Sequence, residues 1–193
     1  MEPTVMTPFA LALDAASGKL EPATSRIERR LSAMRGMYRD GAAERAAIAD
    51  GDPLVYEVLQ YDLPAEAGQL VMCTTILQAG RVGDEYYMTK GHYHAKREAG
   101  EVYLGLRGRG LLVMQAGDRF ATLQMGPGVA AYVPPYWAHR TVNTGDEPLI
   151  FFAVYPGDAG HDYETIAREG FPQRVLHGDD GPTLVPAHEE QAP

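Results

Sequence analysis

The pair His92-Tyr93-His94 is the first place where this sequence can do chemistry. Residues two apart in a strand project to one face, so both imidazoles can chelate a single ion. Seven residues on, Glu101 opens the run Glu101-Val102-Tyr103-Leu104-Gly105-Leu106, and a hairpin return can bring its carboxylate back beside the pair. His139, within Pro134-Pro135-Tyr136-Trp137-Ala138-His139-Arg140, offers a fourth ligand. Three imidazoles and one carboxylate favour a borderline first-row metal and leave positions open to water or substrate if the ion is six-coordinate. A bare His-x-His is a weak signal. Here it comes with the following Glu, a Gly-x-Gly turn, the Pro-x-x-x-x-His segment and a Gly91 that permits close backbone approach, and the combination is specific.

Holding these residues together requires a scaffold of short strands. From Leu54 onward β-branched and aromatic runs dominate: Val55–Leu59, Leu70–Leu77, Glu85–Met88, Val102–Leu106, Leu111–Gln115, Phe120–Gln124, Val129–Val133 and Leu149–Tyr155. Turns such as Gly83-Asp84, Gly117-Asp118, Gly126-Pro127-Gly128 and Gly145-Asp146 separate them. About eight strands at this spacing make an all-β protein, an antiparallel sandwich or barrel. Only the first quarter reads as helical. Ser25 and Glu28 have the spacing of a capping box, and Ile27, Leu31, Met34 and Tyr38 recur at helical intervals, which predicts a helix from about Ser25 to Tyr38. A second, Ala-rich helical segment is expected around Ala42 to Ala49, before Gly51-Asp52-Pro53. The expected organisation is therefore a helical extension over residues 1–52, a barrel over 53–176 and a polar tail over 177–193 carrying Asp179-Asp180 and Glu189-Glu190.

Composition narrows the function. The chain has 193 residues and a formal net charge of -9, from 26 acidic against 17 basic residues, so the basic footprint that attracts nucleic acid is missing. One cysteine, Cys73, cannot form an internal disulfide, which suits a reducing compartment and makes the cytoplasm the expected location. The apolar stretch Phe9 to Leu13 is preceded by Glu2 and followed by Asp14, unlike a signal peptide, and no apolar run approaches the roughly 20 residues of a membrane-spanning helix.

The motifs carry a resemblance. Gly91-His92-Tyr93-His94, Glu101, and Gly126-Pro127-Gly128 leading to Pro134 and His139 resemble the two signature motifs of the cupin superfamily. More narrowly, the stretches Thr89 to Lys96, Glu101-Val102-Tyr103, Tyr132 to Asn143 and Tyr155 to Tyr163 resemble the cupin-type phosphoglucose isomerases of archaea and some bacteria. That resemblance implies a cupin jelly-roll barrel with short N-terminal helices, a homodimer, and interconversion of glucose 6-phosphate and fructose 6-phosphate. It places the metal ligands on His92, His94, Glu101 and His139 and the sugar-phosphate contacts on Tyr56, Thr75, Thr89, Gly91, Tyr103, Tyr155, His161 and Tyr163. It implies one divalent ion per subunit, with iron(II) first and manganese, nickel, cobalt or zinc compatible with the ligands.

The chemistry agrees with that implication. Aldose-ketose isomerisation builds negative charge on a carbonyl oxygen, where a cation acts as a Lewis acid. Glu101 is a candidate base moving a proton between C2 and C1, with Tyr103, His161 or Tyr163 shuttling the hydroxyl proton. A hydride shift is the competing route. No Gly-x-x-x-x-Gly-Lys-Ser/Thr loop is present, so Thr75, Thr89, Tyr56 and the Gly91 amide are the expected phosphate donors. The rival readings are an iron(II) cupin dioxygenase, a non-catalytic sugar-phosphate-binding cupin, and a related activity on mannose 6-phosphate.

Overall fold

The computed structural model describes residues 5–187, so Glu2 and the Glu189-Glu190 pair of the expected tail lie outside it. The chain begins with a small hairpin of β1 (Ala12–Leu13) and β2 (Leu20–Glu21), followed by β3 (Ser25–Arg30), a 3-10 turn at Leu31–Met34 and α1 (Gly41–Ala49). Then come β4 (Leu54–Tyr61), β5 (Leu70–Leu77), β6 (Arg81–Val82), β7 (Glu85–Tyr86), β8 (Glu101–Arg107), β9 (Gly110–Ala116) and β10 (Arg119–Met125). The chain continues through β11 (Ala130–Val133), β12 (Ala138–Asn143), β13 (Leu149–Pro156), α2 (Tyr163–Glu169), β14 (Gln173–Gly178) and β15 (Gly181–Pro186).

A six-stranded sheet of order β11-β8-β13-β5-β4-β3 faces a three-stranded sheet of order β10-β9-β12, and the strand pairs are antiparallel. The chain changes sheet on going from β8 to β9, from β10 to β11, from β11 to β12 and from β12 to β13. That repeated switching builds the all-β jelly roll expected from the sequence. Tyr103 stacks on Phe151 with ring centroids 4.8 Å apart, in a core that also holds the fully buried Leu77, Leu112 and Leu149. No helix among the described residues is long and apolar enough to cross a membrane.

The expected helix from Ser25 to Tyr38 does not form. Ser25–Arg30 is instead an edge strand paired with β4, with Ile27 opposite Val58 and Arg29 opposite Tyr56. The capping box is dismantled because the Ser25 hydroxyl donates to Asp62 at 3.0 Å and Glu28 pairs with Arg26. Pairing with β4 places this segment on the edge of the six-stranded sheet, and that tertiary context overrides the weak local helical pattern. Leu31, Met34 and Tyr38 are still buried, but from the 3-10 turn and the loop after it. The second expected helix is present as α1, capped by Asp40, whose carboxylate accepts from the Ala42 and Ala43 amides.

Two further expectations are corrected. The described part of the expected 1–52 helical extension, residues 5–52, is not wholly helical, since β3 is a member of the six-stranded sheet. Within the described part of the expected tail, 177–187, the chain forms a hairpin: Asp179-Asp180 is the turn joining β14 to β15, and β14 buries Val175 and Leu176. A short acidic turn between two strands looks in sequence like the start of a solvated tail.

Candidate active site

The site grows from a break in strand pairing. The segment from Met88 to His92 runs beside β12, with bridges from Met88 to Val142 and from His92 to His139. Thr89 donates its amide to the Thr141 carbonyl at 2.9 Å, and its hydroxyl accepts the Thr141 amide at 3.0 Å. From Thr89 to His92 is three steps, while from Thr141 to His139 is two, so one residue is extra and Lys90-Gly91 bulges from the ladder. Gly91 has φ +74, and a Cβ there would lie 2.8 Å from the Phe171 ring and 3.0 Å from Arg140 Cβ. Glycine is required by backbone sign and by crowding. Arg140 pins the bulge by donating from Nη2 to the Lys90 carbonyl at 2.9 Å.

Immediately after the bulge the two histidines emerge. His92 and His94 stack with centroids 5.6 Å apart and planes only 8° off parallel, as alternation along an extended segment demands. Glu101 opens β8 and His139 lies on β12, so the two sheets deliver one ligand each to the histidine pair. One ligand atom from each of His92, His94, Glu101 and His139 lies within 4.8 Å of the others. Glu101 Oε2 is 3.1 Å from His94 Nε2 and 2.9 Å from His139 Nε2. Only the first contact is aligned as a hydrogen bond, and His92 Nε2, His94 Nδ1 and His139 Nε2 are buried without a hydrogen-bond partner among the described residues.

Burial and three neighbouring imidazoles hold His92 well below the usual histidine range, so it is neutral at pH 7. Burial pushes the Glu101 carboxyl upward, but the contacts with His139 and His94 outweigh it and leave the group below its ordinary value, ionised at neutral pH. Burial also lowers His161 and raises the Tyr103, Tyr155 and Tyr163 phenols, and pushes Tyr56 up to about 12. These phenols therefore keep their protons as donors.

One cavity gathers the residues singled out from the sequence. Its wall includes Tyr56, Thr75, Thr89, Gly91, His92, Glu101, Tyr103, His139, Tyr155, His161 and Tyr163. His94 lies just behind, against Glu101 and with its ring 5.8 Å from Tyr155. His161 packs on His92 at 4.4 Å between ring centroids and stacks on Tyr163. Its position is fixed by Asp162, which exchanges backbone hydrogen bonds with Tyr93 and caps α2 through the Thr165 amide. Lys90 also lines the cavity, whereas Lys96 is paired with Asp158 at 2.7 Å outside it.

Ile27, Val58, Gln60, Cys73, Phe151 and Ala153 line the same cavity and went unrecognised in the sequence. Most were findable by strand alternation: Tyr56, Val58 and Gln60 share one face of β4, Cys73 and Thr75 one face of β5, and Phe151, Ala153 and Tyr155 one face of β13. Ile27 was hidden by the helical reading of β3.

The family described as "Glucose-6-phosphate isomerase (GPI)" matches residues 28–191. Among curated relatives, the glucose-6-phosphate isomerase of Thermococcus litoralis is 47% identical over 179 residues, covering 92% of this chain and 93% of the relative. The enzyme of that name from Pyrococcus horikoshii is 48% identical over 170 residues, covering 88% and 89%. The Pyrococcus furiosus enzyme is 47% identical over the same length, covering 88% and 89%. The family match spans the bulge, the histidine cluster and every described cavity-wall residue except Ile27, and the chain belongs to the glucose-6-phosphate isomerase family.

Proposed function

We propose that this protein interconverts glucose 6-phosphate and fructose 6-phosphate in glycolysis and gluconeogenesis, using one divalent metal ion per subunit. The observation that carries the proposal is the convergence of three neutral-capable imidazoles and one ionised carboxylate inside a cavity walled by hydroxyl donors. The donor set fits a metal: among the described residues the buried His92 Nε2 has no hydrogen-bond partner, and leaving it unpaired costs about 1–3 kcal/mol. His92, His94, Glu101 and His139 would hold the ion, with iron(II) first among manganese, nickel, cobalt and zinc. When bound, such an ion supplies Lewis acidity toward the sugar's carbonyl and hydroxyl oxygens.

The chain's own residues supply the rest. Glu101 Oε2 is occupied by His94 and His139, while Oε1 makes no hydrogen bond among the described residues and is the oxygen available to take the C2 proton and return it to C1. His161, neutral at pH 7, can accept and give back the proton that passes between the two hydroxyl positions, with the Tyr163 phenol beside it as donor. At the other end, the Thr89 oxygen already accepts the Thr141 amide, so its O–H proton is free for the phosphate. The Gly91 amide, lifted out of the backbone ladder by the bulge and lining the cavity, is assigned the same role, with Thr75 and Tyr56 completing the donor set. The outer face of β8 and β11 exposes Val102, Leu104 and Tyr132 side by side, which supports a homodimer, and the single buried Cys73 supports a cytoplasmic setting.

Glu101→Gln tests the base assignment. Turnover should fall by about a hundredfold or more, the usual contribution of a positioned base, and solvent deuterium should enter the product in the wild type. Near-normal turnover with wild-type metal content removes Glu101 from the proton path and leaves the hydride shift.

A further inference from the structure

Successive residues of β12 project to opposite faces, so the Arg140 side chain leaves the strand on the side away from its neighbour His139, which lines the catalytic cavity. There it meets the back of the Lys90-Gly91 bulge. Nη2 donates to the Lys90 carbonyl at 2.9 Å, Nη1 lies 3.0 Å from Met88 Sδ, and the guanidinium sits 4.1 Å from the Phe171 ring centroid. A Cβ on Gly91 would be only 3.1 Å from Arg140 Nε, so the charged group lies directly behind that glycine.

The charge is out of keeping with its setting. Arg140 is buried, and burial brings its guanidinium down to about 10, which leaves it charged at pH 7. A buried cation normally has a counter-charge. Here the carbonyl, the thioether and the ring in contact with it are all neutral. Glu85, the carboxylate whose charge reaches it, is held by Arg174 at 2.9 Å and by the Arg39 amide at 2.8 Å. An apolar side chain would fill the space between Met88 and Phe171 without the desolvation cost, so packing alone does not account for an arginine. What an apolar chain lacks is a donor for the Lys90 carbonyl and a positive charge behind the Gly91 amide.

We infer that Arg140 is a positioning residue for the substrate's phosphate: it fixes the Lys90-Gly91 bulge and lends its charge to the phosphate from behind Gly91, without touching the substrate. The inference rests on the isomerase reading, which assigns the Gly91 amide to that phosphate. The residues on either side of the bulge have anchors of their own, Thr89 on Thr141 and His92 on His139, the latter in both directions at 3.1 and 3.0 Å. Loss of the Arg140 contact therefore loosens the bulge and leaves the histidine cluster in place, so its effect falls on substrate affinity and not on metal binding or on the chemical step.

Steady-state kinetics on fructose 6-phosphate, with calorimetric titration of glucitol 6-phosphate, a phosphate ester with no carbonyl to react, test this in metal-loaded wild type, Arg140→Met and Arg140→Lys. Methionine fills much of the same channel with no charge and no donor. Arg140→Met should raise the KM at least about tenfold, the value of a lost hydrogen bond from a charged group, and weaken glucitol 6-phosphate by the same factor, with kcat and metal content close to wild type. Arg140→Lys, which keeps a charge and a donor, should recover most of both losses. Should Arg140→Met not fold, Phe171→Leu removes the ring under the guanidinium and should raise the same two constants about threefold, the weaker end of a cation–π contact. Unchanged KM and glucitol 6-phosphate affinity in the folded variants, or a loss of kcat or metal with affinity unchanged, would overturn the inference while leaving the isomerase reading intact. Wild-type protein that neither converts fructose 6-phosphate nor binds glucitol 6-phosphate would overturn the isomerase reading itself, and this role with it.

Discussion

Replacing Gly91 by alanine puts the bulge under a load that the structure lets us estimate. The new Cβ would sit 2.8 Å from Phe171 Cε2 and 3.0 Å from Arg140 Cβ, well inside ordinary contact distance, on a residue whose φ is +74. The left-handed backbone costs an L-residue about 1–2 kcal/mol. Overpacking against Phe171 and Arg140 adds about 1–3 kcal/mol. The total, about 2–5 kcal/mol, corresponds to a Tm loss of roughly 5–15 °C for a chain of this size. The flanking anchors, Thr89 on Thr141 and His92 on His139, hold the ends of the bulge, so the displacement concentrates on Gly91 and its amide. Thermal unfolding and steady-state kinetics should show the Tm loss together with a KM for fructose 6-phosphate raised at least about tenfold, the value of one lost charge-assisted hydrogen bond, and a smaller change in kcat. Gly91→Ala/Phe171→Leu removes the 2.8 Å contact and should recover part of the Tm but not the backbone share. A single variant within about 2 °C of wild type, less than the smallest total cost would produce, with unchanged KM would refute the reasoning.

Asp162 accepts hydrogen bonds from the Thr165 amide and hydroxyl and pairs with Arg97, which together hold its carboxyl down to about 2. A depressed carboxyl stabilises the fold above its unfolded pKa, near 3.9, and that contribution disappears as pH falls through about 2. Asp162→Ala should therefore lose about 1 kcal/mol, the usual value of an N-cap, by chemical denaturation at pH 7. The gap from wild type should stay constant down to about pH 5 and close between about pH 4 and 2; a gap that widens on acidification contradicts the assignment. Cys73 is buried, and burial raises its thiol well above the usual range. A neutral thiol reagent at pH 8 should label it only on unfolding, and rapid labelling of the native protein would show that the cavity wall at β5 opens.

The metal-type cluster was legible because its geometry is local. His92 and His94 need only the alternation of an extended segment, Glu101 needs only the short return into β8, and His139 is announced by the prolines before it. Positions within β4, β5 and β13 follow from the same alternation once one residue on each strand is assigned. What could not be read was pairing between distant segments. Ser25–Arg30 has helical spacing, and only the availability of the β4 edge makes it a strand; with it came Ile27 in the cavity. The strand Ala138–Asn143 is buried along its whole length, so it shows no alternation to mark it. Nothing local in the sequence marks Arg140 as the residue that pins the bulge. Its role depends on the Lys90 carbonyl and Phe171, both far away along the chain.

On the proposed function, the four-residue cluster serves an isomerase through a bound divalent ion. The most direct test is the conversion of fructose 6-phosphate to glucose 6-phosphate under anaerobic conditions, before chelation, after chelation, and after return of iron(II), manganese or zinc, with metal content measured at each stage. The account predicts turnover that disappears with the chelated ion and returns with metal, and a His92→Ala/His94→Ala protein that is folded, metal-free and inactive throughout. Full turnover by protein shown to be metal-free would contradict it. So would no turnover with any ion bound at one equivalent, which would leave a cavity that holds sugar phosphate without converting it, or turnover that appears only when oxygen is admitted.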